Sequence, residues 1–468
     1  MVILFWVIFM NSSYWQKTAF KQNYPSINEN MNVDIVIIGG GLTGMSLAYR
    51  LKDAMFNVVV LEKDEIGNGT SGHTTAKITY LHDIVYSELN DYYGYPYARM
   101  YYDSNKEAFD DIRRIIYKED ISCDYQENEN VLYTNDEMNV IKLRKEKELL
   151  ESFGITVKEN VVKDALYSIS IRHQAIFHPL KYLYRLSDIC HKNGIRIYEH
   201  SKVNKVKRIK DYFEIEVNNY KIHCDYVIHA TRYPFIYRKL YFMKLLQKRE
   251  YVQYGISTNS DHRSLLCIDT PSISHRQVEK GSIEIGKDTV RNPIKWFAQD
   301  SEALRIIPYI GRLNNNYDEF IAFGYRKWGM TLSHVASKII ADEILGVENE
   351  YTRLYSFHHH SYSLIQKKIP ILCKHVKKGF IDNRKVEGIN HLKNNEGAVM
   401  KVNNELTAVY KDSKGECHYF SPYCPHLKCI IEFNSKTQTW DCPCHGSTYD
   451  AYGKLMIGPS LYDLKEKD

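Results

Sequence analysis

The feature that most constrains the fold is a glycine-rich turn between an apolar run and an amphipathic run near the N-terminus. The run "DIVIIGG" from Asp34 has the composition of a buried strand. The following "GLTGMSLAYRLKDAM" places Leu42, Met45, Ala48 and Leu51 at helical spacing, and "NVVVLEKD" supplies a second strand. This order of strand, turn, helix and strand predicts a parallel βαβ unit and therefore an α/β fold.

The glycines of this turn have the spacing of a dinucleotide-binding motif. Gly39, Gly41 and Gly44 follow the pattern G-x-G-x-x-G, and Glu62 ends the second strand eighteen residues after the last glycine. Gly39 permits the tight turn, Gly41 lets backbone amides approach a pyrophosphate, and Gly44 lets the helix pack against the strand. Glu62 can accept hydrogen bonds from ribose hydroxyls. An ordinary glycine turn is the alternative, and the motif does not distinguish FAD from NAD.

Composition narrows the class of protein. The 468 residues exceed one ordinary core, so two or three domains are expected. With 44% apolar and 25% charged residues and a net charge of +5, the chain is typical of a soluble protein without a nucleic-acid partner. The apolar "MVILFWVIFM" is shorter than the about 20 residues of a transmembrane anchor and lacks signal-peptide flanks. We therefore expect a cytoplasmic protein that starts at Met1 or Met10.

A second constellation lies near the C-terminus, in "CPHLKC" and "CPCHGSTYD". Cys424-x-His426 and Cys442-x-x-His445 form two pairs, each with one thiol and one imidazole. A Cys₂His₂ zinc site is the alternative, but its usual order places both cysteines before both histidines. The interleaved order favours two loops that meet over a binuclear [2Fe–2S] cluster, with the cysteines on one iron and the histidines on the other. The predicted metal ligands are therefore Cys424, His426, Cys442 and His445.

The C-terminal part, residues 386 to 468, resembles Rieske [2Fe–2S] domains. The resemblance implies a disulfide between Cys429 and Cys444 that ties the two ligand loops together. It also implies that the hydroxyls of Ser447 and Tyr449 hydrogen-bond to the cluster or to a ligand sulfur, which would stabilise the reduced cluster. The remaining cysteines are expected to be buried thiols: Cys123, Cys190, Cys224, Cys267, Cys373 and Cys417.

Several stretches from residue 11 to 355 resemble the glycine/D-amino-acid oxidase group of FAD flavoproteins. The resemblance is carried by "GNGTSGHTTAKITYLH", "QAIFHPLKYL", "VIHATRYPF", "RIIPYIGRL" and "FIAFGYRKWGMTLSHVASKIIADEIL". It implies FAD in a Rossmann-type α/β domain with an antiparallel substrate subdomain. Strand ends and the start of a helix are places where such sheets bind ligands. The further residues expected to bind FAD are Ala230, Thr231, Gly324, Gly329 and Met330.

His73 and Lys77 are candidates for the catalytic neighbourhood. In related sarcosine-oxidase-like enzymes, a histidine and a basic residue with this spacing lie against the flavin ring. A cation there would stabilise anionic reduced flavin, although a solvated turn is the alternative. A second G-x-G-x-x-G, "GNGTSG" at residues 67–72, directly follows the second strand of this βαβ unit, and no further one occurs after residue 72. Because no second nucleotide-binding unit is marked downstream, an organic substrate is the expected electron donor rather than NAD(P)H. Arg249 and Tyr251 are candidates to reach the substrate pocket.

The domain organisation follows from these motifs. The N-terminal extension precedes a FAD domain whose substrate subdomain comes from two separate stretches. A basic linker, which could attract an anionic partner or a membrane surface, then leads to the all-β C-terminal domain. The predicted bounds are 1–30 for the extension, 31–355 for the FAD domain, 121–170 and 234–300 for the substrate subdomain, 356–385 for the linker and 386–468 for the Rieske domain.

Together the motifs predict an enzyme, a FAD-dependent oxidoreductase with a Rieske cluster. A dehydrogenase of an amine, an amino acid or a similar small molecule would deliver two electrons to FAD. The cluster would pass them singly to a one-electron acceptor, either a protein or a quinone-like molecule. Two alternatives remain: an electron-transfer reductase fed by a partner protein, and a redox sensor that uses the cluster.

Overall fold

The computed structural model describes residues 12–233, 244–257, 261–286, 290–314, 317–356, 391–435, 437–444, 446–458 and 460–467. The chain forms two compact units. The larger contains Ile8–Arg232 and Glu250–Ser361, and the smaller contains Tyr233–Arg249 and Tyr362–Asp468. Most of the predicted linker, together with Cys373, His445 and the two candidate start residues, lies outside the described residues.

In the larger unit the predicted strand, helix and strand order is found at residues 31–61, helices and strands are mixed up to residue 192, and the elements described from 196 to 323 are all strands. The helices are α1 (Tyr14–Thr18), α2 (Leu42–Leu51), α3 (Val85–Tyr93), α4 (Tyr95–Lys118), α5 (Glu137–Ser152), α6 (Pro179–Lys192), α7 (Gly329–Ile344) and α8 (Thr352–Tyr355). The strands up to residue 230 are β1 (Met31–Ile38), β2 (Val58–Leu61), β3 (Lys77–Ile78), β4 (Gln126–Thr134), β5 (Lys158–Glu159), β6 (Tyr167–Ile176), β7 (Arg196–Tyr198), β8 (Val203–Ile209), β9 (Tyr212–Val217) and β10 (Tyr220–His229). Those that follow are β11 (Leu245–Ser257), β12 (Ser264–Cys267), β13 (Ser274–Val278), β14 (Gly281–Ile285), β15 (Val290–Ala303), β16 (Tyr309–Asn314) and β17 (Tyr317–Phe323).

The first sheet is the predicted dinucleotide-binding sheet. Its strands run in the order β16-β17-β10-β1-β2-β7, and β8 and β9 extend it from β10. β1 pairs in parallel with both β2 and β10, and β10 pairs in parallel with β17. All four residues of β2 are buried, as expected for a parallel strand with both faces covered. The α/β class is thereby confirmed.

The second sheet has nine strands, most of which come from the stretches 121–170 and 234–300, and the assignment of these stretches to a substrate subdomain stays a prediction. Its order is β15-β11-β14-β13-β12-β4-β6-β3, and β5 pairs with β6. Most pairs are antiparallel, but β12 and β4 run parallel. The stretch 121–170 also contains helix α5, which the strand-rich prediction did not include. Residues 233–249 group with the smaller unit, although the sequence placed 234–249 in the substrate subdomain.

The C-terminal part of the smaller unit is all β, as predicted. Its strands are β18 (Glu396–Val402), β19 (Glu405–Lys411), β20 (Cys417–Phe420), β21 (Glu432–Asn434), β22 (Thr439–Asp441), β23 (Thr448–Asp450) and β24 (Leu455–Ile457). They form a sheet β18-β19-β20 and a sheet β21-β22-β23-β24. Asn403 and Asn404 turn the first hairpin with φ of 50° and 64°, which asparagine tolerates better than most residues. Trp440, Tyr449 and Phe420 fill the core with the ligand-loop cysteines.

Among the described residues, no helix combines the length and the hydropathy that a membrane crossing requires.

Candidate flavin and metal sites

The glycine turn after β1 is shaped by close backbone contacts. Gly39 has a φ of +114°, and a Cβ on it would lie 2.7 Å from the carbonyl oxygen of Ala230. A Cβ on Gly44 would lie 2.0 Å from the carbonyl oxygen of Gly39. Side chains at these two positions would therefore displace backbone. Gly41 is the N-cap of α2 and supplies no side-chain hydrogen bond, so the start of this helix remains suited to an anionic group.

Glu62 and the end of β10 lie at the same turn. Glu62 Oε2 accepts a hydrogen bond from the amide of Gly40 at 2.8 Å, and Oε1 accepts one from Asp64 at 3.0 Å. Burial raises the pKa of the Glu62 carboxyl, against the effect of these two amides. Ala230 donates to the carbonyl of Ile38 at 2.9 Å, and the amide nitrogen of Thr231 would be 3.4 Å from a Cβ on Gly39. The structure thus brings together the predicted residues Gly39, Gly41, Gly44, Glu62, Ala230 and Thr231.

Ser71 and Tyr325, which sequence reasoning did not select, contact the residues that follow the glycine turn. Ser71, in a short 3₁₀ turn, accepts a hydrogen bond from the amide of Leu42 at 3.1 Å. The hydroxyl of Thr43, in the first turn of α2, lies 3.0 Å from the hydroxyl of Tyr325. Both Ser71 and Tyr325 lie inside stretches that carry the family resemblance, which was the only available signal for them. Tyr325 places the loop between β17 and α7 beside the glycine turn.

That loop, residues 324 to 328, has an unusual backbone. Gly324 has a φ of +84°, and a Cβ there would lie 2.9 Å from that of Ala303. Arg326 and Lys327 also have positive φ values, 50° and 75°. Non-glycine residues in this region cost about 1–3 kcal/mol each in strained cases and occur often at functional sites. α7 begins immediately afterwards at Gly329, and Met330 is buried in its first turn.

Two partly buried carboxyls lie near this loop. Asp300 accepts a hydrogen bond from the amide of Lys327, and burial raises its pKa to about 6. Asp83 has a φ of 59°, and burial likewise raises its pKa to about 6, partly offset by the nearby Arg326 and Lys327. Within the described part of the chain, Asp83 Oδ1 is buried and has no hydrogen-bond partner. No motif marks these acids in the sequence.

The predicted pair His73 and Lys77 is held by different partners. His73 Nδ1 donates to the carbonyl of Gly69 at 2.8 Å, within its own turn. Lys77 Nζ donates to the carbonyl of Leu265 at 3.0 Å and to Ser274 Oγ at 2.6 Å. Desolvation, with a smaller contribution from the charge of Arg276, lowers the pKa of Lys77 to about 7. Lys77 therefore hydrogen-bonds to two strands of the second sheet, β12 and β13, and its role at a flavin stays a prediction.

These residues fit FAD. The turn has no room for side chains at Gly39 and Gly44, the N-cap residue Gly41 of α2 makes no side-chain hydrogen bond, and Glu62 lies at the end of β2. Gly39, Gly41 and the first turn of α2 would hold the pyrophosphate, and Glu62 would hold the ribose. When bound, the flavin supplies an acceptor for a hydride equivalent.

The two predicted metal-ligand loops are closed by backbone hydrogen bonds. In the first, Cys424 donates to the carbonyl of Cys429 at 2.9 Å. In the second, Cys442 donates to the carbonyl of Ser447 at 2.8 Å. A disulfide joins Cys429 to Cys444, as the resemblance implied, and its Cα atoms are 6.5 Å apart. The loops therefore meet, and the sulfurs of Cys429, Cys442 and Cys444 lie within 4.8 Å of one another.

The donor groups at this meeting point suit an iron–sulfur cluster. Cys424 and Cys442 are buried, and a hydrogen bond with Cys442 is the main cause that lowers the pKa of the Cys424 thiol, with Tyr449 adding to it. The Tyr449 hydroxyl is 3.1 Å from Cys424 Sγ. Burial lowers the pKa of His426 to about 4, which favours the neutral imidazole that a metal ligand requires. Ser447 Oγ accepts from the amide of Ser460 at 2.9 Å, and His445 lies outside the described residues.

The other cysteines are distributed through both units. Cys417 is only partly buried, which differs from the expectation that all remaining thiols are buried. It lies in a short strand of the three-stranded sheet, β20. The thiols found buried, as expected, are Cys123, Cys190, Cys224 and Cys267.

Comparisons with known proteins agree with both cofactors, FAD and a [2Fe–2S] cluster. A family model described as FAD dependent oxidoreductase matches residues 34–237, and one described as Rieske [2Fe-2S] domain matches residues 383–466. Gamma-glutamylputrescine oxidoreductase of Escherichia coli (strain K12) is 24% identical over 75% of this chain and 93% of its own. Glycine oxidase from Geobacillus kaustophilus shares the fold with a TM-score of 0.59 at 14% identity, over 70% of this chain and 99% of that one.

A further relative spans both modules. The protein YhfW of Bacillus subtilis (strain 168), described as a Rieske 2Fe-2S iron-sulfur protein, is 30% identical over 97% of this chain and 97% of its own. The match therefore covers the dinucleotide-binding sheet, the second sheet and the C-terminal β domain together. The chain belongs to this family of FAD-dependent oxidoreductases that carry a C-terminal Rieske [2Fe–2S] domain.

Proposed function

We propose that this oxidoreductase dehydrogenates a small amine or amino acid at FAD and passes the electrons through the Rieske cluster to a one-electron acceptor. The observation that carries the proposal is the presence in one chain of a dinucleotide turn and a donor set of two buried thiols and a partly buried imidazole. The turn is built on Gly39 and Glu62, and the donor set on Cys424, Cys442 and His426. FAD accepts two electrons from a substrate, and the cluster carries one electron at a time. Together they can connect a two-electron donor to a one-electron acceptor.

The choice of an amine rests on two observations. One relative is named for the oxidation of gamma-glutamylputrescine, which contains an amine. In this chain, Asp83 offers a buried carboxylate oxygen with no hydrogen-bond partner among the described residues, beside the strained loop at Arg326 and Lys327. A carboxylate in such surroundings gains stability from an ammonium partner. We assign Asp83 to binding the substrate's ammonium group, with a pKa near 6 that also suits proton acceptance.

Other side chains would orient the reaction. Lys77, fixed by Leu265 and Ser274, would in its protonated form place a positive charge where negative charge develops during flavin reduction. His73 would hold the turn around Gly69. At the other site, the hydroxyls of Tyr449 and Ser447 would donate hydrogen bonds toward sulfur and favour the reduced cluster.

The experiment that tests the proposal is anaerobic mixing of the holoprotein with a panel of amines and amino acids. Loss of the flavin absorbance reports the reduction of FAD, and the paramagnetic signal then reports the reduction of the cluster. At least one amine or amino acid is expected to give both signals, and Asp83→Asn should raise the amine concentration needed for half-maximal reduction. Asp91→Asn, a change of a half-exposed carboxyl in the helix that follows Asp83, is the matched control. If no member of the panel reduces a flavin that dithionite and a reduced carrier protein both reduce, the electron-transfer reductase is the better assignment.

A further inference from the structure

We infer that Arg249 is a positioning residue of the Rieske cluster, because its guanidinium hydrogen-bonds to the two residues that flank the second ligand loop. Arg249 lies in β11, 192 residues before Asp441, yet it belongs to the same compact unit as the C-terminal strands. The sequence had suggested Arg249 as a candidate for the substrate pocket. Its side chain instead contacts Asp441 and Thr448.

The geometry of these contacts defines the role. Arg249 Nη1 is 2.9 Å from Asp441 Oδ1, and Nη2 donates to Thr448 Oγ1. Asp441 and Thr448 face each other in the antiparallel pair of β22 and β23. They immediately flank residues 442 to 447, the ligand loop that is closed by the bond from Cys442 to Ser447. One guanidinium therefore bonds to both residues at which the loop leaves the sheet.

The contact is more than an ordinary surface ion pair. The side chains of Arg249 and Asp441 are only 20% and 23% exposed. Asp441 is held from other directions as well, by Asn434 Nδ2 at 3.3 Å and Thr439 Oγ1 at 3.2 Å. A planar guanidinium that bonds to two fixed acceptors loses little side-chain conformational entropy. Lysine cannot reproduce this pair of hydrogen bonds, because its ammonium group is a single point charge. The arrangement restrains the loop without using either of its cysteines.

The charges have a second consequence. Asp441 directly precedes the ligand Cys442, and Arg249 neutralises its carboxylate. Reduction adds negative charge to a cluster, so a nearby cation favours it and an unneutralised carboxylate opposes it. Loss of Arg249 should therefore make reduction harder, both by removing a positive charge and by exposing the negative charge of Asp441.

The same stretch of chain also contacts the first ligand loop. The ring of Tyr233 packs edge-on against the ring of His426, with centroids 6.0 Å apart and an interplanar angle of 81°. Tyr233 and Arg249 are the two ends of the segment that groups with the C-terminal strands. A segment far upstream of the Rieske domain in the sequence thus contacts His426 of the first ligand loop and the two residues that flank the second.

The test is a redox titration of the holoprotein with mediators and dithionite, monitored by the paramagnetic signal of the cluster. Arg249→Met should shift the midpoint potential to more negative values and should speed amide hydrogen exchange in residues 442 to 447. Adding Asp441→Asn should return the potential toward that of the wild type, while exchange stays fast. Arg263→Met removes an arginine that pairs with Asp261 at 2.7 Å with similar exposure, and it should change neither measurement.

The inference rests on the Rieske assignment within the proposed function, but the titration uses no substrate. If no amine reduces the flavin but Arg249→Met shifts the midpoint potential of the cluster, only the substrate proposal is overturned. A wild-type potential together with wild-type loop exchange in Arg249→Met would overturn the role of Arg249. If Arg249→Met does not assemble a cluster, Thr448→Val and Arg249→Lys take its place. Both should speed loop exchange, and unchanged exchange in both would refute the role.

Discussion

The carboxylate of Glu62 accepts a hydrogen bond from the amide of Gly40 at 2.8 Å, so the acid at the end of β2 is fixed on the glycine turn. This position suits a contact with the adenosine ribose. Because a carboxylate that binds hydroxyls contributes charge-assisted hydrogen bonds, its position has a measurable consequence for FAD.

We expect Glu62→Ala to weaken FAD binding by about 1.5–3 kcal/mol, the usual contribution of a hydrogen bond to a charged group. The measurement is fluorescence titration of the apoprotein with FAD. Glu65→Ala is the matched control, since the Glu65 side chain is 51% exposed and lies in the adjacent turn. Equal FAD affinity in Glu62→Ala and Glu65→Ala would argue against the ribose contact.

The second prediction concerns the charge on Lys77. Lys77→Met should slow flavin reduction by substrate more than it lowers FAD content, because the cation would stabilise negative charge on the reduced flavin. Stopped-flow absorbance gives the reduction rate, and released FAD gives the content. Lys158→Met, an exposed change in β5, serves as control. Reduction at the wild-type rate would remove Lys77 from the flavin's surroundings.

The third prediction is a pH dependence of stability. Burial lowers the pKa of Lys77 from the usual 10.5 to about 7, so between these pH values the unfolded chain holds one more proton than the folded chain. The free energy of unfolding should therefore rise as pH increases from about 7 toward 10.5, by at most about 1.4 kcal/mol per pH unit from this group. Urea unfolding of the FAD-free protein at several pH values measures the slope. Lys77→Met should flatten this part of the curve, and an unchanged slope would contradict the lowered pKa.

The parts predicted correctly from sequence depend on local spacing. The turn at Gly39 and Gly44 needs glycine because backbone comes within 2.7 and 2.0 Å of the missing side chains. Cys424 and Cys442 were recognisable because each shares a short loop with a histidine. In these cases the chemistry and the residues that perform it lie within a few positions of one another.

The parts that sequence reasoning missed depend on tertiary contacts. Arg249 reaches its acceptors across 192 and 199 positions, and no local pattern connects them. Asp83 is distinguished only by the burial of its Oδ1 atom and by the backbone around it, which a single acidic residue in a sequence does not reveal. Helix α5 was overlooked because its hydrophobic face is weak, with only Leu143, Glu146 and Leu150 buried.

The fourth prediction concerns the hydroxyl of Tyr449, 3.1 Å from Cys424 Sγ. Tyr449→Phe should lower the midpoint potential of the cluster, because it removes a hydrogen-bond donor that stabilises the more negative, reduced state. The same mediated titration measures the shift. Tyr452→Phe alters a tyrosine that is 51% exposed and should leave the potential unchanged. Equal potentials in both variants would assign Tyr449 to packing alone.

The fifth prediction separates the two half-reactions. Cys442→Ser replaces a buried thiolate ligand with a hard oxygen, which is a poor substitute in an iron–sulfur site. The larger unit has its own sheets and core, so substrate should still bleach the flavin of this variant at close to the wild-type rate. Turnover with a one-electron acceptor should fall sharply, and the signal of the reduced cluster should vanish.

Cys267→Ser is the matched control for this experiment, because it alters a buried cysteine of the second sheet that is no predicted ligand. That variant should keep both the cluster signal and turnover. If Cys442→Ser loses the signal but still delivers electrons to the physiological acceptor at the wild-type rate, the cluster is not on the electron pathway. A sensor role for the cluster would then explain its presence better, because a sensor must change redox state without carrying the flux of turnover.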